Sequence, residues 1–191
     1  MKLESGQEVA PGIIIYNNVV NSPEKIIEMS QLDKENWRES RINSSLDTSG
    51  LINKSVRNTK VLDIPGIYSN DIFWFTVSQK IWQYAHQYAL NFNISFSNME
   101  SAQILHYPCG EGFYKPHVDD EPGSHRIFSA LLYLNDVEDG GETYFNKFDI
   151  SIKPKAGTLA LFPANYIYIH EARTPKSNDK FVIVAWFNPV P

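Results

Sequence analysis

From residue 101 to residue 187 the chain breaks into short runs rich in β-branched and aromatic residues, and this spacing most restricts its fold. The runs cover 101–107, 126–134, 142–145, 148–152, 157–162, 166–170 and 180–187. Turn formers stand between them: Asn135-Asp136, Asp139-Gly140-Gly141 and Lys153-Pro154-Lys155-Ala156-Gly157. Closely spaced strands with such punctuation predict a sandwich or barrel. The last run, Phe181-Val182-Ile183-Val184-Ala185-Trp186-Phe187, reads as a buried strand.

The first hundred residues read differently. Gly12-Ile13-Ile14-Ile15-Tyr16 is a short β-branched run that predicts a strand. Asn21-Ser22-Pro23-Glu24 combines cap residues, a proline for the first helical position and a first-turn acid, so a helix is expected to about Leu32. Residues 38–59 are polar and predict a loop or a loop with short strands. A second helix is expected from about Asn70 to Leu90, with Ile72, Phe75, Gln79, Trp82 and a Tyr84/Tyr88 pair at helical spacing. Phe73, Trp74, Trp82 and Tyr84 read as helix core rather than a cofactor box. With no repeat and no Pro/Gly/Ser-rich linker, residues 1–191 are expected to form one domain, a helix-supported half (1–100) packed against an all-β half (101–191).

The 191 residues are 42% hydrophobic and 20% charged, the balance of an ordinary globular chain. No apolar run approaches the roughly 20 residues of a membrane helix. Lys and Arg total 17 against 22 Asp and Glu, a formal net charge of −5, which disfavours binding to a nucleic-acid backbone and leaves room only for a local basic pocket. One cysteine, Cys109, excludes an intrachain disulfide framework, and no His-Cys nucleophile pattern surrounds it. Met1-Lys2-Leu3-Glu4-Ser5-Gly6 lacks a signal-peptide pattern, so a cytoplasmic, reducing setting is expected.

The chemistry gathers around two of the five histidines, His117 and His170, and one acid, Asp119. His117-Val118-Asp119 is an H-x-D, which on a strand would place both side chains on one face. Standing alone it reads as a surface His beside the acidic turn Asp119-Asp120-Glu121-Pro122-Gly123. His170, 51 residues beyond Asp119, ends the apolar run Ile167-Tyr168-Ile169. Two His and one carboxylate match the facial triad of non-haem Fe(II) oxygenases, which leaves coordination positions open. Lys180 opens the last strand, where it is either a snorkelling edge residue or the cation for a dicarboxylate.

Several elements, in order, resemble the prolyl 4-hydroxylase-like branch of the Fe(II)/2-oxoglutarate-dependent dioxygenases. The stretch from Tyr107-Pro108-Cys109-Gly110 through Tyr114 to His117-Val118-Asp119 is similar to the tyrosine- and glycine-containing run that ends in the family's H-x-D. Arg126 with Leu131-Leu132-Tyr133-Leu134-Asn135 resembles its R followed by a Y-L-N strand. Gly140-Gly141-Glu142-Thr143-Tyr144-Phe145 resembles G-G-E-T-x-F, and Pro154, Gly157, Leu161 and Phe162 resemble its P-x-x-G run and later Phe. His170, Lys180 and Trp186 complete the series, over about residues 100–188.

The resemblance implies a mainly β fold with flanking helices, its core a double-stranded β-helix of jelly-roll, cupin-like form. It implies His117, Asp119 and His170 as iron ligands, Lys180 for the distal carboxylate of 2-oxoglutarate, Tyr107 and Thr143 as hydroxyl donors near it, and Tyr133 and Trp186 as pocket residues. It implies Fe(II), 2-oxoglutarate as cosubstrate, O2 and ascorbate, hydroxylation of prolyl residues in a peptide or protein, and succinate and CO2 as products. A hydroxylase of a small molecule or free amino acid, and a non-catalytic β-barrel binding module, are the alternatives. Segments 38–59 and 171–179 are expected as walls of a peptide groove, with Arg57 and Trp37 as contacts. Arg126 is expected to pair with Asp119, Asp120 or Glu121, Gly140-Gly141 to form a hairpin turn, and His106 to face away from the site. Two departures stand out: Asp179, where the family often has Gly, and Glu171-Ala172-Arg173-Thr174-Pro175, which follows its H-x-x-x-P-V run only in part.

Overall fold

A computed structural model describes residues 3–44, 47–64, 71–121 and 123–191. Two antiparallel sheets share one apolar layer. The larger runs, in spatial order, Gln7–Ala10, Ile13–Tyr16, Leu159–Pro163, Phe128–Tyr133, Lys180–Pro189, Gln103–Tyr107, Lys60–Asp63 and Arg38–Glu39, and Phe96–Met99 adds to the far end of Lys180–Pro189. The smaller runs Ile150–Ile152, Thr143–Phe145, His170–Ala172, Phe113–His117 and Arg57–Asn58. Ile42–Ser44 and Asp47–Leu51 pair with each other.

The strand period of two explains why the central strands carry almost no polar residue. Along Phe128–Tyr133, Leu131 and Tyr133 pack between the sheets while Ala130 and Leu132 pack on the outer face. Lys180–Pro189 does the same, with Val182 and Val184 inward and Ile183, Ala185 and Phe187 outward. A strand covered on both faces needs apolar side chains at odd and even positions alike.

The cover on the outer face is the helix Ile72–Phe92. Asp71 caps it, its carboxylate accepting from the amides of Phe73 at 2.8 Å and Trp74 at 3.4 Å. Asn93, at φ 53°, ends it in the left-handed conformation that Asn tolerates. The expected start at Asn70 lies outside the described residues. The buried stripe is Trp74, Val77, Ile81, Tyr84, Ala85 and Tyr88, not the Ile72–Phe75–Gln79–Trp82 line the spacing suggested; Ile72 is 75% exposed. Phe73, Trp74, Trp82 and Tyr84 all belong to or pack against this core, as expected.

Other expectations need correction. The first helix, Glu24–Leu32, has Pro23 itself at the cap position and no side-chain cap bond. The predicted strand 166–170 is a 3-10 turn, Tyr166–Tyr168, capped by Asn165 and followed by the strand His170–Ala172. Gly140-Gly141 joins no adjacent strands: it carries the chain from the larger sheet to the smaller, where a side chain on Gly140 would collide with the Thr174 carbonyl. Among the described residues no helix is long and apolar enough to cross a membrane.

The double-sided packing predicts where stability resides. Ile183 is fully buried between sheet and helix, so Ile183→Ala should cost about 2–5 kcal/mol. Ile72→Ala, at an exposed position, should stay within about 0.5 kcal/mol of the parent. Urea unfolding of the two variants measures the contrast.

Candidate metal centre

The ladder between Phe113–His117 and His170–Ala172 sets His117 directly opposite His170. Their ring centroids lie 4.3 Å apart. The register of this ladder shifts between Tyr114 and His117, at the segment holding Pro116, which has no amide hydrogen to give to a ladder. Lys115 donates its amide to the Val56 carbonyl at 2.9 Å instead.

Asp119 does not continue the strand, contrary to the reading of H-x-D as two positions on one strand face. It lies in a bend two residues beyond the strand end, held by a hydrogen bond that the Asp120 amide donates to the Ala164 carbonyl at 3.0 Å. That bend brings the buried carboxylate between the imidazoles. His117 Nε2 is 3.6 Å from Asp119 Oδ1, and His170 Nε2 is 3.9 Å from Oδ2. One donor atom from each residue falls within 4.8 Å of the others.

Each imidazole faces a backbone carbonyl through its other nitrogen: His117 Nδ1 lies 2.9 Å from Lys115 O, and His170 Nδ1 lies 3.0 Å from Tyr168 O. An Nδ1–H donating there leaves the Nε2 lone pair pointing at the shared space, the arrangement a metal ligand needs. Burial pulls the His117 pKa down to about 3, His170 beside it adds to the effect, and Asp119 opposes it. His117 is therefore neutral at ordinary pH. For Asp119, burial alone would raise the pKa, but His170 and His117 outweigh it and hold the carboxyl below its usual range. Its Oδ2 is buried without a hydrogen-bond partner. A buried anionic oxygen with no donor costs several kcal/mol unless a cation faces it. A carboxylate and two imidazole nitrogens converging on one point therefore fit a divalent transition metal.

Behind these residues a cavity of about 220 Å³ opens between the sheets. Lys180 lines it and is 1% exposed; its Nζ donates to the Gly141 carbonyl at 2.7 Å and lies 4.7 Å from the centre of the Tyr107 ring. Burial draws the Lys180 pKa down to about 7, against a smaller opposing pull from Glu142. Tyr107 lines the same wall, its hydroxyl pushed up to about 12 by burial. Thr143 lines the cavity as well, and Tyr133 stands behind it, donating to the Thr143 Oγ1 at 2.8 Å. Trp186 lines the opposite end with its indole nitrogen buried and unpartnered. The Arg126 guanidinium lies 3.9 Å over its ring. Arg126 is held by Glu100, through bonds of 2.9 and 2.7 Å, and not by the acids of 119–121; toward Asp119 it reaches only the backbone carbonyl, at 3.2 Å.

Of the two segments expected as groove walls, the first lines the cavity through Arg38, Ser40, Arg41 and Arg57, and the second through Ala172 alone. Segment 173–179 is tied to neighbouring turns: Gly110 donates to Pro175 O, Gly141 to Thr174 O and Lys176 to Asp139 O. Trp37 is on the outer face of the larger sheet, edge-on to His106 and Phe181. His106 faces that side too, as expected, and bonds Asp179 at 2.7 Å. Cys109 is exposed. The sequence reading gave Tyr114 no role, yet its ring stacks on His117 at 3.5 Å and 19°. Its place three residues before His117 was the available signal, hidden because a regular strand would put the two on opposite faces.

Loss of a ligand should exceed the 10–100-fold effect typical of the groups that merely orient ligands. His117→Ala, Asp119→Ala and His170→Ala should each weaken Mn(II) binding by more than about 100-fold in a calorimetric titration, while Ser124→Ala, on the exposed turn beyond, leaves it unchanged.

Comparison with known proteins agrees with this geometry. Residues 102–188 match the model of the 2OG-Fe(II) oxygenase superfamily. A protein of Acanthamoeba polyphaga mimivirus, provisionally named prolyl 4-hydroxylase, is 26% identical over 193 residues, covering 91% of this chain and 72% of that protein. Against prolyl 4-hydroxylases of Arabidopsis thaliana the chain spans only 25–32% of their length. Among solved structures, a Trichoplax adhaerens prolyl hydroxylase in complex with a hypoxia-inducible-factor peptide superposes with a TM-score of 0.75 at 17% identity, covering 93% of this chain and 84% of that one. A viral collagen prolyl hydroxylase from Paramecium bursaria Chlorella virus 1, solved as a 2-oxoglutarate complex, gives 0.69 at 20% identity, covering 96% and 100%. The fold is thus the double-stranded β-helix of these enzymes, and residues 102–188 are similar to the 2-oxoglutarate–Fe(II) oxygenases, with prolyl hydroxylases among the relatives and structural neighbours.

Proposed function

We propose that this chain hydroxylates prolyl residues in a peptide or protein, consuming 2-oxoglutarate and O2 and releasing succinate and CO2. The observation that carries the reading is one cavity bearing the His117–Asp119–His170 donor set together with a buried lysine, Lys180. His117, Asp119 and His170 would hold Fe(II), which when bound supplies the redox chemistry that couples decarboxylation of the cosubstrate to hydroxylation of a C–H bond. Ascorbate would serve as an accessory reductant.

The protein's own side chains bind and orient. Lys180 would receive the distal carboxylate of 2-oxoglutarate in a dry setting, where a charge-assisted pair is strong. Tyr107 and Thr143 would donate hydroxyl hydrogens to the same carboxylate, and the Tyr133 hydroxyl, spent on Thr143, would fix the Thr143 rotamer. Trp186, its ring held under Arg126, would close the cavity near the metal and keep water from the reacting carbon. The mimivirus relative's name and the peptide in the Trichoplax complex support a prolyl substrate within a chain.

Removing one partner of a desolvated charge pair costs about 2–5 kcal/mol. Lys180→Ala should therefore raise the 2-oxoglutarate dissociation constant from roughly 30-fold to several thousand-fold, with Mn(II) binding retained. Lys180→Arg should lose less. The depressed Lys180 pKa adds a pH signature. Free protein loses the ammonium above about pH 7, while the bound dicarboxylate requires it, so the cosubstrate affinity should fall about tenfold per unit as pH rises above 7. Calorimetry on Mn(II)-loaded protein from pH 6 to 9 checks the sign; flat affinity would contradict the pairing.

The reaction itself is tested by supplying Fe(II), 2-oxoglutarate, ascorbate and air with a panel of proline-containing peptides and free L-proline. Mass spectrometry should find one added oxygen on prolyl residues, matched by succinate. Oxygen on free proline alone would refute the peptide reading.

A further inference from the structure

Five cationic side chains line the cavity, Arg38, Arg41, Arg57, Arg126 and Lys180, against two carboxylates, Asp119 and Glu121. The whole chain has the opposite bias, a net charge of −5, so this positive excess is local. Much of it already has an acid or a task. Arg38 pairs with Asp63 at 2.7 Å, Arg126 with Glu100 at 2.7 Å, and Lys180 is buried at the Gly141 carbonyl.

Arg57 differs. Its Nε donates to Thr59 Oγ1 at 3.1 Å, its Nη1 donates to the Arg41 carbonyl at 3.3 Å, and its guanidinium lies 4.6 Å over the Tyr114 ring. All three partners are neutral, and among the described residues Arg57 forms no ion pair. Those contacts fix the guanidinium in place while leaving its charge uncompensated in a half-buried position. The Tyr114 ring beneath it stacks in turn on His117, at 3.5 Å. A fixed, partly desolvated guanidinium is the group best suited to take a carboxylate through two parallel bonds.

We infer that Arg57 selects a carboxylate on the substrate, so that favoured peptides carry Asp or Glu within a residue or two of the proline that is hydroxylated. The short distance follows from the stack, since an extended chain advances only about 3.3 Å per residue. The inference rests on the prolyl-peptide reading above and narrows it to acidic sequences.

The test uses the Fe(II)-loaded chain with 2-oxoglutarate and air, and short neutral peptides containing one central proline. A single Glu is moved through the flanking positions, with matched Gln and Lys series, and hydroxylated peptide is measured by mass spectrometry. Glu should exceed Gln in kcat/KM by roughly 10- to 100-fold at one or two adjoining positions, and Lys should fall below Gln. In Arg57→Gln the Glu/Gln ratio should drop to about one, and Arg57→Lys should keep part of it. Arg57→Glu should invert the order and favour Lys, a gain that damaged folding cannot mimic. Equal turnover of all three series by the parent, or a Glu preference that survives in Arg57→Gln, overturns the inference while leaving the prolyl reading intact. Absence of hydroxylation in every series instead refutes the prolyl-peptide reading, and the inference with it.

Discussion

The pairing of His117 with His170 across one antiparallel ladder is the constraint on which the rest of the centre depends. Because strand side chains alternate, a slip of one residue would turn one imidazole to the other face and dissolve the donor set. The register shift between Tyr114 and His117 does a second thing. Residues three apart on a regular strand point to opposite faces, but an extra residue in the ladder restores them to one side. Tyr114 can then lie flat on His117, and Arg57, on the paired strand opposite Tyr114, can lie on Tyr114. One local irregularity thus joins the donor set to an arginine of the cavity wall.

The same alternation works through the thickness of the larger sheet. Lys180 pairs with Tyr107 in register, and Phe181 pairs with His106. The first pair faces the cavity; the second stacks on the outer face at 4.6 Å. Asp179 sits at the turn between these layers, accepting from the Cys109 amide at 2.8 Å and bonding His106. Where the family often has Gly, this chain therefore has a residue whose carboxylate pins the strand entry beside Lys180. The departure is a tether, and it holds the buried lysine's backbone rather than reshaping its pocket.

What was legible in the sequence follows from what residue type and period can express. The strand-rich half, the long helix with its Tyr84/Tyr88 pair, and the three candidate ligands were readable because each depends on a local pattern or on rare residue types. Asp119's position was misread because H-x-D spacing implies a strand, whereas the chain leaves the strand at His117. The 166–170 run was misread because Ile and Tyr favour strands, yet Asn165 caps a turn there through the Ile167 amide at 3.0 Å. Ile72 was misassigned because one helix turn of apolar residues offers two possible stripes, and only packing against the sheet chooses. The partners of Arg126 and the location of Trp37 are tertiary facts: Glu100 is 26 residues away and no short-range pattern joins them.

Charge shows most plainly why composition and site can disagree. A net charge describes the far field, and beyond about 8–10 Å that field is screened in physiological salt. Within the cavity, the relevant quantity is which charges line the wall and where their partners stand. Asp63 and Glu100, which hold Arg38 and Arg126, are not among the lining residues. The arginines face inward while their counter-ions sit behind them, so the wall is more positive than any tally of ion pairs suggests. An acidic chain can therefore present an anion-seeking cavity without a basic segment in its sequence, because the sheet and the strands at its edge sort the two signs onto different sides.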